Sequence, residues 1–186
     1  RGIGSRINTP SVGLYVDNIP YVNQSAFDFS YADVERIDVL RGPQSTLYGR
    51  NAMGGLIKVH TKSPFTYQGT DLRLGAATHN EYHASLTHYH RVSPRFAFST
   101  GGYYDYQGGF FRNATLDGKR VDDGQRAGGR FRGILLPTDN WKVDLSLSYE
   151  YNDQGGYPYY YEGSISSNEE GSYRRNLFNA GLNLQY

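Results

Sequence analysis

The plainest signal in the chain is the eleven-residue stretch "WKVDLSLSYEY", Trp141 to Tyr151. Trp141, Val143, Leu145, Leu147, Tyr149 and Tyr151 fall on one face, and Lys142, Asp144, Ser146, Ser148 and Glu150 on the other. A period of two is that of a β-strand with unlike faces. About 9–11 residues also suffice to cross a bilayer as a tilted strand, with aromatic side chains at both interfaces. "RFAFSTGGYYDYQ" repeats the pattern through Phe96, Phe98, Thr100, Gly102, Tyr104 and Tyr106. "NLFNAGLNLQY" repeats it through Phe178, Ala180, Leu182, Leu184 and Tyr186. Weaker alternation covers Thr70–Thr78, Glu81–Arg91 and Arg126–Leu136. Six strands are therefore predicted after Pro64.

The connections sharpen this picture. Those at His79-Asn80, "VSPR" and "PTDN" are short, whereas Gln107 to Gly124 and Asn152 to Ser172 are long and polar. The expectation is that tight turns occupy one end of the sheet and long loops the other, as in outer-membrane barrels. A soluble β-meander would also alternate, with one face on a core. Long strands, aromatic ends and unequal loops favour the membrane reading. Six strands cannot close such a barrel, since single-chain ones start at eight, and open edges in lipid are costly. The remaining strands are expected beyond Tyr186.

Residues 1–64 read differently, as a small α+β unit. "SVGLYVDNIP" alternates Val12, Leu14 and Val16, then turns at Asp17-Asn18 before Pro20. "YADVERIDVL" suggests one helical turn running into a strand at Ile37–Leu40, and "GGLIKVHTK" another strand. "GPQSTLYG" suits a short helix with Pro43 at its first position and Gly49 as its stop.

Composition narrows the function classes. The chain has 186 residues, a net charge of +1, 18 tyrosines, 23 glycines and no cysteine. Near-neutral charge gives no basis for nucleic-acid binding. Without cysteine there is no disulfide framework and no thiolate metal site. Mean hydropathy is −0.65, and no apolar run approaches a membrane helix. A barrel tolerates this, because only alternate positions face lipid. The chain starts at Arg1 rather than Met and reads as a piece of something longer.

The glycine-rich "LRGPQSTLYGRNAMGG" is no phosphate cradle. A P-loop needs Gly, four residues, then Gly-Lys-Ser/Thr, whereas Gly49 is followed by Arg50-Asn51. Nor does a G-x-G-x-x-G open a helix here. His88 and His90, two apart in a strand, point the same way, but no third metal ligand is evident. "NAT" at Asn113 fits a glycosylation sequon, and Asp117, Asp122 and Asp123 lack EF-hand spacing. No nucleophilic triad or paired carboxylates stand out, so neither an enzyme nor a cofactor is expected.

The segment "DVERIDVLRGPQSTLYGRNAMGGLIKVHTKSP", with "RGIG" and "VGLYVDNIP" upstream, closely resembles the plug signature of TonB-dependent outer-membrane receptors. The resemblance covers residues 1–64 tightly and the rest by strand pattern. It implies a mainly β fold: a fragment of a large transmembrane antiparallel β-barrel with a small α+β plug domain. Residues 1–64 would be the C-terminal part of the plug and 65–186 the first six or so barrel strands. The location would be the bacterial outer membrane. The partners would be TonB, through a box upstream of this chain, outer-membrane lipid and a small-molecule ligand such as a metal chelate. The function would be plug-gated uptake of a scarce ligand, with a ferric siderophore favoured. Alternatives are cobalamin or saccharide import by the same mechanism, or a non-transporting surface or soluble β-domain.

The signature residues under this resemblance are Arg36, Arg41, Gly42, Pro43, Tyr48, Gly49, Gly54 and Gly55. Arg36 and Arg41 would pair with acidic residues of the barrel lumen. The glycines would allow positive φ or close approach to the barrel wall. Ligand-facing candidates are Arg1, Tyr21, Asn23, Gln24, Phe29 and Tyr31 on the plug and Tyr157, Tyr159, Tyr160 and Tyr161 on a long loop. Those loop tyrosines fit an interfacial aromatic girdle equally well. The Asn152–Ser172 loop carries Asp153, Glu162, Glu169 and Glu170 and no Lys or Arg, which argues against an anionic ligand there.

Overall fold

The computed structural model describes residues 11–21, 33–43, 52–156, 165, 168 and 171–186. Two sheets make up this part of the chain. The first has four strands: β1 (Val12–Val16), β2 (Ile19–Tyr21), β3 (Val34–Arg41) and β4 (Gly55–Thr61). Their spatial order is β2-β1-β4-β3. β1 runs parallel to β4, and the other pairs are antiparallel.

The β1–β2 hairpin closes through Asp17 and Asn18, both at positive φ (49° and 67°). That is the twist a two-residue hairpin loop demands, and Asp and Asn tolerate it best after glycine. Leu14, Val16 and Val59 form the core of this sheet, and Tyr21, Val34 and Ile57 pack against it.

The helical turn expected ahead of Ile37 is corrected at its C-terminal side. Strand begins at Val34, and from there β3 pairs with β4 through a bulge between Val34 and Arg36. The β-branched Val34, Ile37 and Val39 suit that pleat. Among the described residues of this unit there is no helix. The helix expected after Pro43 falls on residues 44–48, outside the described residues, as does Gly49.

The second sheet is a six-stranded antiparallel meander. It comprises β5 (Gly69–Ala77), β6 (Glu81–Ser93), β7 (Phe96–Gln107), β8 (Gly124–Thr138), β9 (Trp141–Gly156) and β10 (Gly171–Gln185). All six were legible as alternation, although β8, β9 and β10 run longer than expected. One face is apolar and bare: Leu72, Leu74, Leu86, Phe178, Leu182 and Leu184 are all exposed. Apolar patches of that extent mark a surface made for another apolar medium. The opposite face carries the small sheet.

The expected sorting of connections by length is only partly met. In a meander, successive connections alternate between the two ends. The His79-Asn80 turn therefore shares the end of the two long loops, and the turns before Phe96 and Trp141 share the other. Gly108 N–H donates to the His79 carbonyl at 3.2 Å, and the His79 and Phe110 rings lie 4.5 Å apart. Register explains the short connection: β5 and β6 are paired up to Ala77↔Glu81, leaving room only for a tight turn.

The β7–β8 connection is itself folded. Asp122 accepts the N–H groups of Phe110 and Phe111 at 2.8 Å, and Asn113 Oδ1 accepts the Thr115 N–H at 3.0 Å. Asn113 is fully buried, which removes it as a glycan acceptor. His88 and His90 do share a face, but it is the bare apolar one. Their rings stack at 5.9 Å, and His90 lies 5.8 Å from Phe98. No group of three metal-ligating side chains occurs among the described residues.

Candidate functional site: the junction of the two sheets

The tip of the β1–β2 hairpin meets the inner face of β8. Asp17 is held there by its turn, and its N–H donates to the Val59 carbonyl at 2.9 Å. On β8, Arg130 and Arg132 are two residues apart and so point to the same face. Arg130 Nη2 lies 2.5 Å from Asp17 Oδ2, and its Nη1 lies 3.2 Å from Asp33 Oδ2. Arg132 Nη1 lies 3.1 Å from Asp17 Oδ1. The other edge of Arg132 forks onto Asp144 of β9, with Nε at 3.0 Å and Nη2 at 2.7 Å.

Thr61, at the end of β4, completes the cluster. Its N–H and hydroxyl both donate to Asp17, at 3.0 and 2.8 Å, and its Oγ1 accepts from Arg132 at 2.9 Å. Asp17, Thr61, Arg132 and Asp144 are all buried.

Burial pushes the Asp17 carboxyl up. The charges of Arg132 and Arg130 and the two Thr61 hydrogen bonds outweigh it, so the net pKa lies below the usual 3.8. Asp33 goes the other way. Burial raises it, Asp17 adds repulsion, and Arg130 does not fully offset them. The cluster thus holds one firmly ionised carboxylate and one that takes a proton more readily than a free aspartate.

A buried ion pair costs desolvation, and its geometry must be good to be worthwhile. Here each guanidinium spans two carboxylates, and Thr61 satisfies lone pairs that would otherwise be bare. The arrangement docks one sheet on the other through a charged strip. Apolar contact supports it at Ile19, which packs so closely on Gly181 of β10 that a Cβ there would clash.

Farther along the wall, Tyr103 lies over Gly128, where an added Cβ would stand 2.5 Å from its ring and push it aside. Its hydroxyl donates to Glu150 at 2.8 Å, and Glu150 also meets Arg175 at 2.5 Å.

On the six described wall strands, the junction does not use the expected pairing of Arg36 and Arg41 with lumen carboxylates. Arg36 pairs with its own neighbour, Asp38, at 3.1 Å, and its side chain is 65% exposed. Arg41 is exposed too. Neither meets a carboxylate of β5–β10 among the described residues. The small unit contributes Asp17 and Asp33, and the wall contributes Arg130 and Arg132 together with Asp144. The signal was available: Arg126, Arg130 and Arg132 recur at even spacing on the strand face that should be polar.

The glycines work inside the small sheet rather than against the wall. Gly42 has φ +89°, and a Cβ on Gly55 (φ +154°) would stand 2.8 Å from the Leu40 carbonyl across the β3–β4 pair. A Cβ on Gly54 would be 3.3 Å from the Ser11 carbonyl. Pro43 follows Gly42 at the end of β3.

Of the ligand-facing candidates, Tyr21 is described. It sits at the junction, its hydroxyl 3.5 Å from Ser148 Oγ, and it lines a small cavity there with Asp33, Ser99, Tyr103 and Arg130. Arg1, Asn23, Gln24, Phe29, Tyr31, Tyr157, Tyr159, Tyr160 and Tyr161 lie outside the described residues, as do Tyr48 and Gly49 of the signature.

Residues 1–56 match the family model of the TonB-dependent receptor plug domain. The ferrioxamine receptor of Yersinia enterocolitica is 37% identical over 131 residues, 67% of this chain and 16% of that protein. The vitamin B12 transporter BtuB of Vibrio vulnificus is 28% identical over 173 residues, 88% of this chain and 26% of that protein. The ferric yersiniabactin uptake receptor FyuA from Yersinia pestis has the same fold, with a TM-score of 0.79 at 22% identity. That match covers 96% of this chain and 30% of FyuA. The chain thus spans about a quarter or less of the length of these curated relatives.

Proposed function

We propose, on the premise that the chain belongs to the TonB-dependent receptors, that it gates the uptake of a ferric siderophore through the bacterial outer membrane. Residues 1–64 serve as the C-terminal part of the plug and 65–186 as the first strands of the barrel that the plug closes. TonB acts from the periplasm on a segment upstream of Arg1. The observation that carries this reading is the buried Asp17–Arg130–Arg132–Asp33 cluster between the two sheets. It fixes the plug to the wall by contacts that are strong when dry and weak once water enters. That is what a gate opened by pulling requires. The siderophore is favoured because the ferrioxamine receptor has the highest identity of the relatives described, 37%.

A second reading, cobalamin import, rests on the likeness to the vitamin B12 transporter along 88% of the chain. A host lacking its own receptors and carrying the full-length gene separates them. The expected result is uptake of radio-iron from a ferric hydroxamate, abolished by loss of TonB, with cobalamin uptake unchanged. Uptake of cobalamin instead establishes the second reading. Uptake of neither, with the protein present in the outer membrane, removes both.

A further inference from the structure

A second concavity of about 690 Å³ lies at the end of the wall that carries the long loops. That is the size of a small-molecule site. It faces inward between β6 and β9, under the folded β7–β8 connection. Its lining includes the titratable Glu81, His83, Asp105, Asp122 and Arg126 and the amides Gln107, Gln125, Asn152 and Gln154.

The charges in it are unequal. There are three carboxylates against one guanidinium and one imidazole. The positive groups are already committed. Arg126 Nη2 lies 3.3 Å from Asp105, and His83 Nδ1 also binds Asp105. Asp122 is engaged by the N–H groups of Phe110 and Phe111. Glu81 is exposed at the rim. Arg130 and Arg132, deeper on the same wall, are consumed by Asp17, Asp33 and Asp144. Arg175 is held by Glu150. In the adjoining hollow Arg174 is held by Asp153 at 3.1 Å, and Arg120 donates to the Gly108 carbonyl.

Among the described residues, one buried acceptor lining this concavity has no partner. Asn152 is 3% exposed, lines this concavity, and its Oδ1 accepts no hydrogen bond. A buried carbonyl oxygen without a donor is costly, and a ligand N–H would satisfy it.

We infer that this concavity selects ligands presenting a cationic or N–H-donating end, and discriminates against anionic ones. The inference rests on the uptake reading above and narrows its substrate class. An anionic chelate would have to break a formed ion pair or sit against carboxylates. An ammonium group finds Glu81 at the rim and the Asn152 oxygen inside.

The test uses the full-length receptor and two probes. One is a ferric trihydroxamate ending in a primary ammonium. The other is the same chelate after succinylation, which turns that end into a carboxylate. The ammonium form is expected to bind about tenfold more tightly at low salt, and the ratio to shrink as salt screens it. Glu81→Gln, at an exposed position where folding is not at stake, is expected to reduce the ratio by about threefold or less. Asn152→Leu is expected to weaken the ammonium probe alone. Equal binding of both probes, or preference for the carboxylate, overturns the inference and leaves the uptake reading standing. If neither probe binds or is imported, the uptake reading falls with it.

Discussion

The plug sheet and the wall sheet meet at one buried strip, yet their strands are specified in different ways. The wall strands carry period-two alternation over nine to sixteen residues, because one face meets an apolar medium and the other does not. The plug strands are three to eight residues long and lie in a mixed sheet. Their specification comes from turns and glycines: Asp17-Asn18 in the hairpin, Gly42 and Gly55 beside β3 and β4. The wall is held by its pattern, and the plug is held by particular residues. Single substitutions should therefore damage the plug's seat far more than the wall.

Arg132→Met should have the largest effect. It leaves Asp144 only the longer contact with Lys142, at 3.6 Å, and deprives Asp17 of one of its two guanidiniums. Removing one partner of a buried pair costs about 3–5 kcal/mol. In the full-length receptor the urea concentration at which the plug loosens should fall well before the barrel unfolds. Planar-bilayer conductance reads the first event and tryptophan fluorescence the second. Adding Asp17→Asn and Asp144→Asn should recover much of the loss, since no charge is then left buried and unpaired. Simultaneous loss of plug and barrel in Arg132→Met would show that the strip serves the wall as much as the plug.

Acid probes the same strip with opposite signs. The Asp17 carboxyl lies below 3.8 in the folded state, so its stabilising contribution is complete above that value and is lost as pH falls below it. Asp33 is raised above 3.8, so the folded state favours its neutral form over its ionised one more than the unfolded chain does. Its contribution improves as pH falls through its folded value and is complete below 3.8. Plug stability, as a difference between wild type and variant, should therefore split. Asp33→Asn should remove a gain on the way down to 3.8, and Asp17→Asn should remove a loss below it. Difference curves of the same sign would refute the assignment.

Gly55→Ala should cost less, about 1–2 kcal/mol from a positive φ and a crowded carbonyl. The added Cβ meets the Leu40 oxygen at 2.8 Å, so β3 must shift from β4. Hydrogen exchange should quicken along β3 and stay unchanged in β8 and β9.

The wall was legible because alternation is a property of many residues at once. Mistakes there were of geometry: counting short and long connections does not place them at an end, whereas strand parity does. The plug's strands were only partly legible. "YADVERIDVL" has charges at a spacing that mimics a helical turn, and pairing with β4 overrides it from Val34 onward. The docking strip was legible residue by residue but not as a site. Asp17 was recognised as a turn former, and Asp144 as a polar-face residue of β9. Nothing in one chain says that a turn carboxylate and two wall arginines, more than a hundred residues apart, will meet. Only the register of β8 on β9, with Ile134↔Asp144 and Arg132↔Ser146, brings Arg132 to Asp144 and aims both at the hairpin.

Arg36→Ala should have the smallest effect, and it is the sharpest check on which charges seat the plug. Its partner among the described residues is Asp38, on the same strand, and the side chain is 65% exposed. A pair of that kind is worth about 0–1 kcal/mol and is screened by salt. The plug's urea midpoint in the full-length receptor should move by less than it does for Gly55→Ala. A loss as large as that of Arg132→Met would mean that Arg36 meets a carboxylate on another part of the wall. The plug would then be clamped by arginines on one flank and by carboxylates on the other, and pulling would have to break two strips of opposite polarity instead of one.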